Sequence, residues 1–93
     1  MQVVSILLTT GVEWIAQDSG SFGTDKLSLK KVRKIQLVPD GKGGAGMALL
    51  PIFMANNNAE DFDLDTKFVV LKHAPHPEFE KQYLQEVSGI QLI

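Results

Sequence analysis

Cysteine is absent from this 93-residue chain. That removes disulfides, thiolate nucleophiles and cysteine metal sites together, and it fits a reducing cytosol. A membrane-spanning run is missing as well. The opening stretch Val3-Val4-Ser5-Ile6-Leu7-Leu8 stops at Thr9-Thr10-Gly11, far short of the roughly 20 apolar residues a bilayer requires. No basic stretch precedes it, so it reads as a strand and not as a signal peptide. An excess of positive charge is lacking too. Nine Lys and Arg face eleven Asp and Glu, for a formal net charge of −2. Bulk attraction to nucleic acid is thereby excluded, and only a local basic patch could hold a polyanion. Ser, His and Asp all occur, but in no nucleophile-elbow pattern, so the residues predict no enzyme and no cofactor.

What is present is an ordinary globular composition, 44% hydrophobic and 22% charged, well away from the disordered regime. A chain of this length makes one domain, spanning residues 1–93. Such a domain hides only about 60–65% of its unfolded surface when it folds alone. Its core is modest, and partner subunits would add to it.

Period-two patterning dominates. Val4, Ile6 and Leu8 share one face of a strand predicted over about 3–9. Thr10-Gly11 turns the chain into a second strand over about 12–17, completing a hairpin. Asp18 to Lys26 is a polar loop with Gly20 and Gly23. The third strand, over about 26–38, is the longest. Leu27, Leu29, Ile35 and Leu37 are in phase and Val32 is not, so the pattern requires a bulge or sharp bend near Lys31, where one extra residue flips the faces. Pro39 to Gly46 is a flexible turn. The fourth strand, over about 46–54, is nearly all apolar, as in a strand buried on both faces, although Pro51 argues for an edge, a bulge or a bend. After the polar loop 56–61 comes a short extended piece at Phe62 to Leu64, and then a fifth strand over about 67–72. The period then changes. Pro77 opens a helix over about 77–87, with Glu78 and Glu80 at its positive end and Phe79, Tyr83 and Val87 as an apolar stripe. Ser88-Gly89 supplies its end. Five strands with one broken long strand predict a mainly β, strongly bent antiparallel barrel with a short C-terminal helix.

Several clusters invite a chemical reading that the residues do not sustain. His73 and His76 flank Pro75 and share no regular helix face, so they predict exposed linker residues and no metal site. Asp61, Asp63 and Asp65 alternate as in calcium loops, but the glycine and distal glutamate of that pattern are missing, and a strand with its acidic face in water accounts for them. The stretch from Gly41 to Gly46 lacks the Gly-Lys-Ser/Thr ending of a phosphate loop and leads into a strand. Lys26, Lys30, Lys31, Arg33 and Lys34 concentrate positive charge in one segment, with Phe22 the nearby ring able to stack a base. The alternative for them is a solvated strand face guarded against aggregation.

Taken together, Leu7-Leu8-Thr9-Thr10-Gly11-Val12-Glu13-Trp14-Ile15-Ala16, Lys30 to Leu37, Met47-Ala48-Leu49-Leu50-Pro51 and Tyr83-Leu84-Gln85-Glu86-Val87-Ser88-Gly89-Ile90 resemble small Sm/LSm-like proteins of marine cyanophages and ocean metagenomes. The resemblance implies an Sm-like barrel of the SH3-like kind. It also implies a homo-oligomeric ring in the cytoplasm, including that of an infected host cell, with RNA as its ligand and no membrane partner. Met47, Leu49, Ile52 and Phe53 of the fourth strand would meet Phe68, Val69, Val70 and Leu71 of the neighbour's fifth. Phe22, Lys26, Lys30, Lys31, Arg33 and Lys34, singled out by charge and by the ring, are the residues that would meet RNA; none is transferred from the family's own RNA-binding residues. The chain departs from the family by opening on a strand where Sm proteins place a helix. It also lacks the Asp-x-x-Met-Asn set of the first motif and the Arg/Lys-Gly pair of the second. The alternative expectation is a structural or protein-interaction module of phage origin that binds no nucleic acid.

Overall fold

The computed structural model describes residues 2–20, 25–39, 41–56 and 58–88. They form strands β1 (Gln2–Leu8), β2 (Glu13–Asp18), β3 (Lys26–Pro39), β4 (Ala45–Pro51), β5 (Phe62–Asp65) and β6 (Val69–His73), then helix α1 (Pro77–Ser88). A 3-10 turn, Thr66–Phe68, joins β5 to β6 and is capped by the Asp65 carboxylate, which accepts from the Lys67 amide. All pairings are antiparallel and make one sheet of order β4-β3-β2-β1-β6, with β5 added on β3.

The β1–β2 hairpin turns where the sequence predicts. Gly11 holds φ +87°, a conformation that glycine alone adopts without Cβ strain. The mid-strand break predicted near Lys31 is a β-bulge. Ile15 faces Arg33, yet Gln17 faces Lys30, so Ala16 opposes two residues, Lys31 and Val32. Lys31 adopts φ +52°, the left-handed conformation usual at such positions for glycine. The extra residue reverses the faces. Leu27, Leu29 and Val32 enter one core with Val4, Ile6, Leu8 and Ala16, whereas Ile35 packs toward the opposite core of Val3, Ile15, Leu49 and Tyr83. The bend also lets a single edge of β3 serve two partners, β5 along Lys26–Leu29 and β4 along Arg33–Pro39.

Helix α1 covers the second face. Phe79, Tyr83 and Val87 recur one turn apart, and all three pack onto that core. Tyr83 has no exposed surface, and its hydroxyl donates to the Lys31 carbonyl at 2.6 Å. Trp14 is half-buried against the first core and lies 6.5 Å from the Phe62 ring.

Three sequence expectations change. The described residues form six strands, because the extended piece at Phe62 to Leu64 pairs with β3 as a strand of its own. The sheet also stays open: its path ends at β4 and at β6, which do not pair with each other. Nor is the fourth segment buried on both faces. β4 ends at Pro51, only Leu49 within it is buried, and Met47, Phe53 and Met54 are exposed. As a terminal strand, β4 has no neighbour to cover its outer half.

Candidate interaction surfaces

Residues proposed from sequence for polyanion contact separate in the fold. Lys26 and Lys30 are exposed on the first half of β3. Lys31 turns back across the bulge, and its Nζ donates to the Val87 carbonyl at 3.3 Å, filling one of the acceptor positions a helix end leaves open. Arg33 is committed as well. Its Nη2 lies 2.9 Å from the Glu60 carboxylate, and its Nη1 donates to the Val32 carbonyl at 3.0 Å. Lys34 stands opposite Trp14 on the far side of the bulge. Phe22 lies outside the described residues. The five cations thus divide into a structural pair at the bulge, the exposed Lys26 and Lys30 before it, and the half-buried Lys34 beyond it. Density of basic residues in a sequence does not reveal which of them are engaged, because the partners Glu60 and Val87 are distant along the chain.

Acidic residues of the alternating stretch act as local acceptors. Asp61 accepts from the Lys31 amide at 3.0 Å, Asp63 from the Ser28 hydroxyl at 2.9 Å, and Asp65 caps the 3-10 turn. Together with the bond from the Val32 amide to the Glu60 carbonyl, at 2.8 Å, they hold the 59–65 segment against the bend of β3. His73 ends β6 and His76 immediately precedes α1. His76 Nδ1 accepts from the Glu78 amide at 3.2 Å, and His73 Nδ1 lies 2.8 Å from the Ala74 carbonyl. Among the described residues no group of three or more His, Asp or Glu side chains is arranged to hold a metal ion. No described helix is long and apolar enough to cross a membrane.

The two ends of the sheet are chemically unusual. β4, with sequence Ala-Gly-Met-Ala-Leu-Leu-Pro, carries no charge, although edge strands are commonly guarded by lysine or by bulges. At the other end, Val70 is 54% exposed and Leu71 63% exposed. Of the residues expected to form an oligomer contact, Met47, Phe53, Phe68, Val70 and Leu71 are exposed. Leu49 is buried under α1, and Ile52 and Val69 are half-buried against the first core. Lys72, on the β6 edge, pairs with Asp18 at 3.2 Å, and Val70, Leu71 and His73 are exposed beside it. Phe53 stacks toward Phe62 with ring centroids 5.4 Å apart, so one side of its ring is already supported.

Comparison with protein-family models and with curated proteins gave no match for this chain.

Proposed function

We propose that this protein is a non-enzymatic assembly module that joins copies of itself through the two free ends of its sheet, as an Sm-like ring does. The supporting observation is that one molecule presents an uncharged edge at β4 and, at β6, an edge on which Val70 and Leu71 stand exposed beside Lys72 and His73. Each edge leaves backbone donors and acceptors for a further strand. The edges differ in sequence, so the contact between copies is head to tail, and it closes into a ring if the rotation per subunit divides a full turn. Strand pairing supplies direction, and the exposed Val70, Leu71 and Met47 supply apolar area.

Val70→Lys tests this reading. The side chain is exposed in the single chain, so stability should change by no more than about 0.5 kcal/mol. A charge at the joint should dissociate the oligomer to monomers in native mass spectra and light scattering. A wild-type protein that is monomeric at micromolar concentrations would overturn the proposal.

The engagement of Lys31 and Arg33 inside the fold favours protein assembly over RNA as the primary role. The test is direct. If RNA is bound through β3, Lys30→Glu with Lys34→Glu should weaken binding of a single-stranded oligonucleotide. The same pair should flatten the dependence of log affinity on log salt, by about 0.7 in slope for each phosphate no longer neutralised. Under the assembly reading the wild-type protein shows no salt-dependent binding for that pair to remove.

A further inference from the structure

The chain has no cysteine and three methionines, so thioether sulfur is the only sulfur it offers to an oxidant. The two internal methionines are both exposed, in different settings. Met47 is the third residue of β4 and is 53% exposed. β4 is a terminal strand, and the cross-strand neighbour of Met47, Leu37, is 70% exposed. Leu49, two residues on, is buried with Tyr83. Ala45, two residues back, offers only a methyl group to shield the sulfur. Met47 lines two depressions, of about 310 and 540 Å³. Hydrogen peroxide, little larger than a water of about 30 Å³, fits either. Met54 is 77% exposed but lies beyond the end of β4. It sits in the turn that the Asn56 amide closes on the Phe53 carbonyl at 3.3 Å.

We propose that Met47 is a redox-modification site: hydrogen peroxide converts its thioether to the sulfoxide in the free subunit, and the sulfoxide keeps β4 from joining another copy. The proposal rests on the assembly reading above and adds its regulation. A lone pair of Sδ attacks one peroxide oxygen. The S–O bond forms as the O–O bond breaks, sulfur gives up an electron pair, and the other oxygen leaves as water after proton transfer. The product is a polar side chain whose new oxygen accepts hydrogen bonds and donates none. The β6 edge has little to give it. Val70 and Leu71 are apolar, and Lys72 is held by Asp18 at 3.2 Å. His73 Nδ1 lies 2.8 Å from the Ala74 carbonyl, which can only accept, so the proton is on Nδ1. The neutral ring then presents Nε2, a second acceptor. A sulfoxide enclosed at that joint loses its water without gaining a donor. Assembly in turn covers Met47 and leaves Met54 in solvent, so oxidation acts on free subunits. Thiol-dependent sulfoxide reductases restore the thioether, which makes the block reversible.

The test treats the full chain with hydrogen peroxide in dilute solution and scores each methionine by peptide mass mapping. Native mass spectra then compare assembly before and after oxidation in wild type, Met47→Leu and Met54→Leu. Oxidation of wild type and of Met54→Leu should raise the dissociation constant of the joint by about tenfold or more. Met47→Leu is apolar and of similar volume, so it should assemble as wild type does, and it should stay assembled after peroxide. The urea midpoint should not change on oxidation of Met47, because that side chain is exposed in the single subunit. In concentrated, assembled protein Met47 should oxidise more slowly than in dilute protein, and Met54 at the same rate in both. Three results overturn the proposal and leave the assembly reading standing. They are oxidised wild type that assembles as tightly as before, Met47→Leu that dissociates on peroxide treatment, and a urea midpoint that falls with Met47 oxidation. Unoxidised wild type that is monomeric at micromolar concentrations ends the assembly reading and this proposal together.

Discussion

Replacing Tyr83 with alanine is expected to destabilise the protein by about 3–5 kcal/mol, the usual range for removing a large buried ring. That is a large share of the roughly 5–15 kcal/mol by which small domains are stable. Tyr83 joins helix to sheet through both its ring and its hydroxyl. Its ring packs with Val3, Ile15 and Leu49, and its hydroxyl reaches the Lys31 carbonyl at 2.6 Å and the Lys30 carbonyl at 3.5 Å. Tyr83→Phe keeps the ring and removes the donor. It should cost about 1–3 kcal/mol, because a buried carbonyl is left without its partner. Urea denaturation of both variants measures the two contributions. A Phe variant as stable as wild type would mean that the hydroxyl does not tie α1 to the bulge.

The same residue makes stability depend on pH. Burial pushes the Tyr83 phenol far above the ordinary tyrosine range. The nearby Arg33 lowers it in part, and Glu60 and Asp61 raise it further. Below about pH 10, the ordinary tyrosine value, folded and unfolded chains both hold the phenolic proton, and the group adds no pH dependence. Above that, the unfolded chain releases the proton and the folded chain keeps it. Stability then falls with rising pH, by up to about 1.4 kcal/mol per pH unit from this group. Tyr83 is the only tyrosine, so phenolate absorbance reports it alone. Ionisation should appear only as the protein unfolds, and Tyr83→Phe should lack this part of the alkaline loss of stability. Titration of the folded protein near the ordinary tyrosine value would contradict the buried placement.

At position 31 the expected effects of two substitutions have opposite signs. Lys31 holds φ +52°, which costs a residue with a Cβ about 1–2 kcal/mol. Lys31→Gly relieves that strain but gives up the bond from Nζ to the Val87 carbonyl. The balance should be neutral to stabilising by about 1 kcal/mol, since a single part-buried contact as long as 3.3 Å is worth less than the strain. Lys31→Ile should destabilise by about 2–3 kcal/mol, because a β-branched side chain is poorly accommodated at positive φ. Thermal melts of both variants decide this. Equal losses for Gly and Ile would show that side-chain contacts, and not backbone geometry, govern the position.

Much of this architecture is legible in the residues. Alternation in β1 and β2, the turn at Gly11, the phase slip around Val32 and the four-residue spacing of Phe79, Tyr83 and Val87 are local signals. Local sterics and hydrophobic period are sufficient to produce them. The slip alone implied an extra residue near Lys31, and the bulge lies there. Other features depend on groups brought together from distant parts of the chain. Whether the apolar 47–54 segment would be covered turned on its place in the strand order, and β4 proved to be an edge. Whether Arg33 and Lys31 would be free for a ligand turned on Glu60 and Val87, which reach them only after the chain has folded back. The alignment of Leu71, Leu7, Glu13, Ile35 and Leu49 exists only because β6, β1, β2, β3 and β4 pair in register. Period and composition thus determined which residues become strand, turn and helix and which face each strand buries, because those depend on neighbours along the chain. Tertiary structure alone decided which apolar surface stays uncovered and which charges are already paired, because those depend on neighbours in space.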